Sequence, residues 1–465
     1  MYAYSQKKSY KKRLLAFLAV LFLLPILFML VTRLEGEKPA VTLNLTSPYL
    51  GILKELKVKI SDQKSGVRNV RIALSENGRE IDLLEEHFNQ GGLFLGGGKQ
   101  NVTLTTKIEP KKLGLSEGPA ILRIVVRDLS WRGWLHGNKT TIEKKISIDF
   151  KPPVVTVITR AHNINQGGSG LVIYELSEKC PVSGVQVGDR FFPGYTGLVE
   201  KDTVYATFFA LAFSQDTATQ IFIKAVDAAG NTTRAGFPKY LKKKRFRKDK
   251  INISDRFLET KMPEFDVPEY TPGDKAAGNP LLDKFLFINK TLRQKNAARI
   301  MTVTSHTEPA ILWKGVFRRL ANAKRMAGFA DHRTYYYKGK EIDEETHLGI
   351  DLAAYSHDKV MAANGGKVVF ADRLGIYGQA VIIDHGFGLF SLYAHLSRID
   401  AQVGQMVEKN APIGLTGKTG LAGGDHLHLS MIVHNTFVNP VEWWDASWIK
   451  NNITSKIQAA RMTKF

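Results

Sequence analysis

Residues 423–431 read GGDHLHLSM, with His426 and His428 one residue apart. Side chains alternate across a strand, so His426, His428 and Ser430 share one face while Leu427, Leu429 and Met431 take the other. Positions i and i+2 lie about 6.6 Å apart along a strand. At that spacing one imidazole can hold a metal while its neighbour addresses something bound to it. Farther upstream, THLGID sets His347 and Asp351 four residues apart with Gly349 between them. The glycine leaves the backbone free to bend, so imidazole and carboxylate can converge. Histidine with carboxylate is a borderline-to-hard donor set that suits Zn2+. Two histidines and one aspartate leave a fourth place for water, which separates a catalytic zinc from a structural one. The chain has no His-Glu-x-x-His, so the helix-borne zinc protease layout is excluded. Eight of the twelve histidines fall after residue 330. A lone one, such as His385 or His434, reads as a surface or satisfied core residue.

The pieces around these residues come in a fixed order: HLGID (347–351), YAHLS (393–397), VGQMV (403–407), IGLTGKTG (413–420) and DHLHLSM (425–431). In order and spacing this set resembles the lysostaphin-type (LytM-like) zinc endopeptidases, which cleave the peptide part of bacterial peptidoglycan. The resemblance covers residues 330–445, about a quarter of the chain. It implies that His347, Asp351 and His428 are zinc ligands and that His395 and His426 are the catalytic imidazoles. Zinc so held lowers the pKa of its water to roughly 7 and polarises a peptide carbonyl. The two free imidazoles then share the roles of base, acid and oxyanion stabiliser. Two departures stand out. Asp425 replaces the proline that usually precedes His-Leu-His; it either pairs with an imidazole or substrate amine, or caps the strand. The segment before His347 is long and carries Tyr335, Tyr336 and Tyr337, which read either as a flap over the cleft or as ordinary hairpin packing.

Such a site needs a scaffold, and composition bounds it. At 465 residues the prior is about three domains. The net charge of +21, from 65 Lys+Arg against 44 Asp+Glu, implies an anionic neighbourhood. The cations are not focused on a recognition helix and no nucleic-acid motif occurs, so nucleic acid is not an expected partner. A single cysteine, Cys180, excludes an internal disulfide and reads as a small buried hydrophobe.

At the N-terminus a basic stretch, residues 1–13, precedes nineteen uncharged residues from Leu14 to Thr32. Their length matches a hydrocarbon core of roughly 30 Å, and no Ala-x-Ala site follows. The expectation is an uncleaved transmembrane signal anchor over 14–32. The five Lys/Arg before it place residues 1–13 in the cytoplasm and the body in the periplasm or cell wall.

Residues 38–150 and 151–237 read as short alternating strands with polar turns. Each opens on a proline with a β-branched run, KPAVTLNLTS and KPPVVTVITR, and each closes on a strand entering an Asp turn. Two immunoglobulin-like β-sandwiches acting as spacers are expected. Residues 239–327 read as a basic linker followed by a partly helical region. The charge run KYLKKKRFRKDK (239–250) is either solvated or in contact with anionic wall polymer or lipid headgroups. Residues 446–465 form a tail.

The expected fold is mainly β: one transmembrane helix, two sandwiches, a partly helical linker and a C-terminal antiparallel β-sheet peptidase domain. The expected function is that of a single-pass, inner-membrane zinc endopeptidase acting on peptidoglycan cross-links. The tether and the absence of any polyglycine-recognition feature favour a D-alanyl–diaminopimelate bond. The alternative is a catalytically inactive wall-binding activator of another hydrolase, a fate that normally removes one or more of the five site residues.

Overall fold

The computed structural model describes residues 4–45, 47–88, 98–271 and 279–463; residues 1–3 of the expected basic tail lie outside them. The chain divides into two compact units, residues 1–152 with 226–231 and residues 153–225 with 232–465.

The first unit holds the N-terminal helix, Tyr4–Arg33, and two sheets. Among the described residues no helix is long and apolar enough to cross a membrane. The expectation of a transmembrane anchor over 14–32 is corrected accordingly, and with it the single-pass inner-membrane placement. Counting uncharged residues ignored two features of this segment. Pro25 lies inside the helix, where it removes a backbone donor and crowds the preceding turn. The helix end is also bound into folded protein: the Arg33 carbonyl accepts hydrogen bonds from the Trp131 N–H at 2.6 Å and from Ser130 Oγ at 3.2 Å.

The strand Lys54–Ser61 alternates strictly, burying Leu56, Val58 and Ile60 and exposing Glu55, Lys57 and Lys59. Its three-stranded sheet shares one core with Val70, Ile72, Leu122 and Ile124 of a five-stranded sheet. Of the immunoglobulin-like sandwich expected for 38–150, only this arrangement of two sheets about one core is supported.

The second unit is built around an eight-stranded sheet. Its order is Lys324–Ala327, Ile350–Ala353, Leu427–Val433, Leu389–Leu396, Gln379–Asp384, Gly366–Arg373 and Met406–Val407, with Thr436–Val438 beside Leu427–Val433. Every pairing in it is antiparallel. The strand Leu427–Val433 is buried throughout and splits its side chains by parity. Leu427, Leu429, Met431 and Val433 join an apolar cluster that includes Leu171, Phe208 and Ile223 from residues 153–225. The sheet and that upstream β segment therefore share a core.

Ile432, on the opposite face, joins Leu282, Phe285, Ile288 and Ile300 of the helical stretch 280–303. That stretch starts where Asn279 caps it, its side chain accepting from the N–H groups of Leu281 and Leu282, with Pro280 at the first helical position. Helices thus cover the sheet face that carries His428. The basic run is no free linker: Tyr240–Lys242 pairs with Asn163–Asn165, and Lys248–Ile253 pairs with His332–Tyr337.

Candidate metal centre

Three donor atoms meet at the edge of the helix-covered face. Asp351 on Ile350–Ala353 stands in register with His428 on Leu427–Val433, and His347 lies in the short connection between Lys340–Thr346 and Ile350–Ala353. Nε2 of His347 is 3.0 Å from Nδ1 of His428, and each lies 2.9 Å from Asp351 Oδ1. All three side chains are buried.

The far sides of the rings fix where their protons sit. His347 Nδ1 is 2.7 Å from the Gly328 carbonyl, a pure acceptor, so this nitrogen donates. Ser430 Oγ donates to the Leu348 carbonyl at 2.8 Å and lies 3.0 Å from His428 Nε2. The hydroxyl proton is spent on Leu348, so His428 Nε2 is the donor to Ser430. In the neutral rings, His347 Nε2 and His428 Nδ1 therefore both present bare lone pairs, and Asp351 Oδ1 presents a third. Three lone pairs at about hydrogen-bond distance with no proton among them repel one another unless a cation sits between them. Two nitrogens and an oxygen in this arrangement fit a zinc ion. The three residues form a group able to hold a metal.

Two more imidazoles face this point. His395, at the end of Leu389–Leu396, donates from Nδ1 to the Thr419 carbonyl at 2.9 Å. His426 donates from Nδ1 to the Gly424 carbonyl at 2.9 Å, and its Nε2 lies 3.6 Å from Asp351 Oδ1. Both rings thus direct Nε2 inward, with centroids 4.8 Å apart. His395 adopts φ of 62°, a left-handed conformation uncommon for a residue with a side chain and costly enough to need support from its surroundings.

Titration follows the surroundings. Burial disfavours the charged form of Asp351, but the charge that His347 carries once protonated, with hydrogen bonds from the protonated rings of His347, His426 and His428, outweighs it and holds the carboxyl well below its usual range. Burial pushes His428 down to about 4, against the pull of Asp351. Burial, with His426 and His428 alongside, also holds His395 well below the ordinary histidine range. For His426 burial acts downward, yet its hydrogen bond and charge interaction with Asp351 leave it raised. The five residues line a cavity of about 440 Å3 whose wall includes Phe257, Phe285 and Tyr377.

Residues 345–440 match the family model described as Peptidase family M23. The C-terminal sheet carries an M23 peptidase domain. Over 95 residues the chain is 42% identical to the DD-carboxypeptidase/endopeptidase Mpg of Neisseria meningitidis, covering 20% of this chain and 22% of that protein. It is 36% identical over 203 residues to the peptidoglycan DD-endopeptidase ShyA of Vibrio cholerae, 42% of this chain and 45% of that one. It is 31% identical over 156 residues to the murein hydrolase activator EnvC of Escherichia coli, 32% and 36% of the respective chains. The chain spans less than half the length of each of these relatives.

The two sequence departures resolve locally. Asp425 turns away from the imidazoles, its Oδ2 accepting from Ser356 Oγ and the His357 N–H, so it ties down a loop. The three tyrosines lie on the strand His332–Tyr337 of a hairpin: Tyr335 packs on Phe285, Tyr336 donates to Glu341, and Tyr337 donates to Asp255. Gly349 is needed for space, since a Cβ there would come within 2.5 Å of His428 Nε2. His385 is a core residue, bonded to Gly365 and Ser391. Sequence reasoning missed Gly328, Thr419 and Arg333. The first two act through carbonyls, which any residue supplies. Arg333 lies eighteen positions from its partner Asp351, beyond any local spacing rule. Ser430 lies on the face that strand alternation predicts, and its hydrogen bond with His428 has no signal in the spacing.

Proposed function

We propose that this chain is a zinc metalloendopeptidase that hydrolyses peptide cross-links in bacterial peptidoglycan. The observation that carries the reading is the set of three unprotonated donor atoms on His347, Asp351 and His428, faced by two further imidazoles. His347, Asp351 and His428 would hold the zinc. A zinc ion there supplies a Lewis acid for a peptide carbonyl and acidifies water. His395 and His426 keep their Nδ1 protons on backbone carbonyls, so Nε2 of each is the atom that takes a proton and returns it to the leaving amine. Burial of His347, Asp351 and His428 strengthens these interactions. The relatives named as DD-endopeptidases support a cross-link as substrate. The retained donor set favours the enzyme over an inactive wall-binding protein that activates another hydrolase; EnvC is named as a murein hydrolase activator. Residues 38–150 and 151–237 act in this reading as spacers.

The test is incubation of the full chain with purified sacculi, with bound zinc measured and a His428→Ala chain in parallel. Conversion of cross-linked dimers to monomers by the wild type alone is the expected result. Bound zinc without any cleavage, across sacculi of different cross-link chemistry, would instead favour the activator.

A further inference from the structure

The two oxygens of Asp351 keep different company. Oδ1 faces His347 Nε2 and His428 Nδ1. Oδ2 accepts a hydrogen bond from Arg333 Nη2 at 2.8 Å. This ion pair is largely shielded, with side-chain exposures of 20% for Arg333 and 12% for Asp351. Arginine remains charged throughout the accessible pH range, and a charge-assisted hydrogen bond of this kind is stronger and more directional than a neutral one.

The arginine is itself held from both sides. It lies on His332–Tyr337, the middle strand of a three-stranded sheet between Lys248–Ile253 and Lys340–Thr346. That sheet packs through Tyr335 into the core beneath the helices. Arg333 also lines the cavity beside the donor set. A ladder on each flank fixes its backbone, so the direction from which it reaches Asp351 is set by the fold.

We propose that Arg333 is a positioning residue that keeps Asp351 a one-oxygen ligand. With Oδ2 engaged, only Oδ1 is turned to the metal, and a coordination place stays open for water or the substrate carbonyl. Without Arg333 the carboxylate is free to rotate and bring both oxygens to the ion, filling that place. This inference rests on the zinc-peptidase reading above.

The experiment uses the full chain as wild type, Arg333→Gln and Arg333→Lys. Zinc affinity is read by chelator competition, and Co2+ is substituted to report coordination number by its visible absorption. Thermal melts of the metal-free chains control for folding. For Arg333→Gln the expected result is weaker visible bands, as coordination rises above four, with zinc affinity reduced about 10- to 100-fold. Lys, which can still place one donor on Oδ2, is expected to restore the spectrum in part. A folded Gln variant with wild-type spectrum and wild-type zinc affinity would overturn the proposal. Should that variant not fold, X-ray absorption of the zinc-loaded wild type decides: a one-oxygen Asp351 upholds the proposal, and a two-oxygen Asp351 overturns it. A wild type that takes up no metal would instead sink the underlying reading.

Discussion

His347 Nε2 and His428 Nδ1 face each other at 3.0 Å, and the hydrogen bonds on the far sides of both rings leave no proton between them. On the proposed reading, that relationship separates the imidazoles that would hold the metal from the two that only face the site. It predicts that His428→Ala abolishes stoichiometric zinc binding and cleavage together. His395→Ala and His426→Ala should retain zinc and lose about 10²- to 10⁴-fold in turnover on cross-linked muropeptides. Metal analysis of the three purified variants checks this, and loss of zinc from the His395 or His426 variant would contradict the division of roles.

Ser430 is fully buried and accepts from His428 Nε2. Its replacement by alanine leaves a buried N–H without that acceptor, at a cost of about 1–3 kcal/mol, and lets the ring turn. Ser430→Ala should bind zinc about 10- to 100-fold more weakly. A competition titration that finds the affinity unchanged would remove Ser430 from the metal's support.

Gly349 packs its backbone against the same ring. An added methyl would also come within 2.7 Å of Ser430 Oγ, so neither neighbour can yield without losing the hydrogen bond between them. Gly349→Ala is expected to destabilise the fold by about 1–3 kcal/mol through overcrowding and to lower zinc affinity. Chemical denaturation of the metal-free chain measures the first effect. Equal stability of the two chains would show that the site has slack here.

Two buried ionisable groups predict how stability follows pH. Glu442 accepts from Asn165 Nδ2 at 2.7 Å and from the Ser169 N–H at 3.0 Å, and burial pushes its carboxyl up to about 7 from 4.5. The folded chain holds this proton more tightly than the unfolded chain. Stability from neutral Glu442 is therefore present below about 4.5 and is lost as pH rises through about 7. The size is roughly 3 kcal/mol. Lys456 donates to the Leu171 carbonyl, and burial draws it down to about 8 from 10.5. For this group stability falls as pH drops from 10.5 towards 8 and is level below. Melts of wild type and Glu442→Gln from pH 4 to 8 should show the difference between them changing over the acid limb. A constant offset would mean that Glu442 titrates normally.

What could be read from the sequence follows from the range of each interaction. The alternation of His426, His428 and Ser430 is a local property of one strand, and the structure places them accordingly. Asp351 and His347 converge as their spacing suggests, though Gly349 serves close packing rather than a bend. The charge run at 239–250 read as a linker because its partners, Asn163–Asn165 and His332–Tyr337, lie about eighty residues away on either side. The N-terminal segment misled for another reason: counting uncharged residues registers neither an internal proline nor a helix end buried against Ser130 and Trp131. Arg333 was invisible because a long-range ion pair has no periodicity.

The aromatic seam of the second unit has a consequence for how the protein comes apart. Phe208 lies 6.4 Å from Trp313 and 6.0 Å from Trp443, and Trp443 is 5.4 Å from Phe317, ring to ring. Phe208 belongs to the upstream β segment and the other three flank the M23 sheet. Heating cannot expose one side of such a seam without wetting the other. In a calorimeter the two should melt under one endotherm, and recombination that swapped the peptidase sheet alone would leave half a core behind.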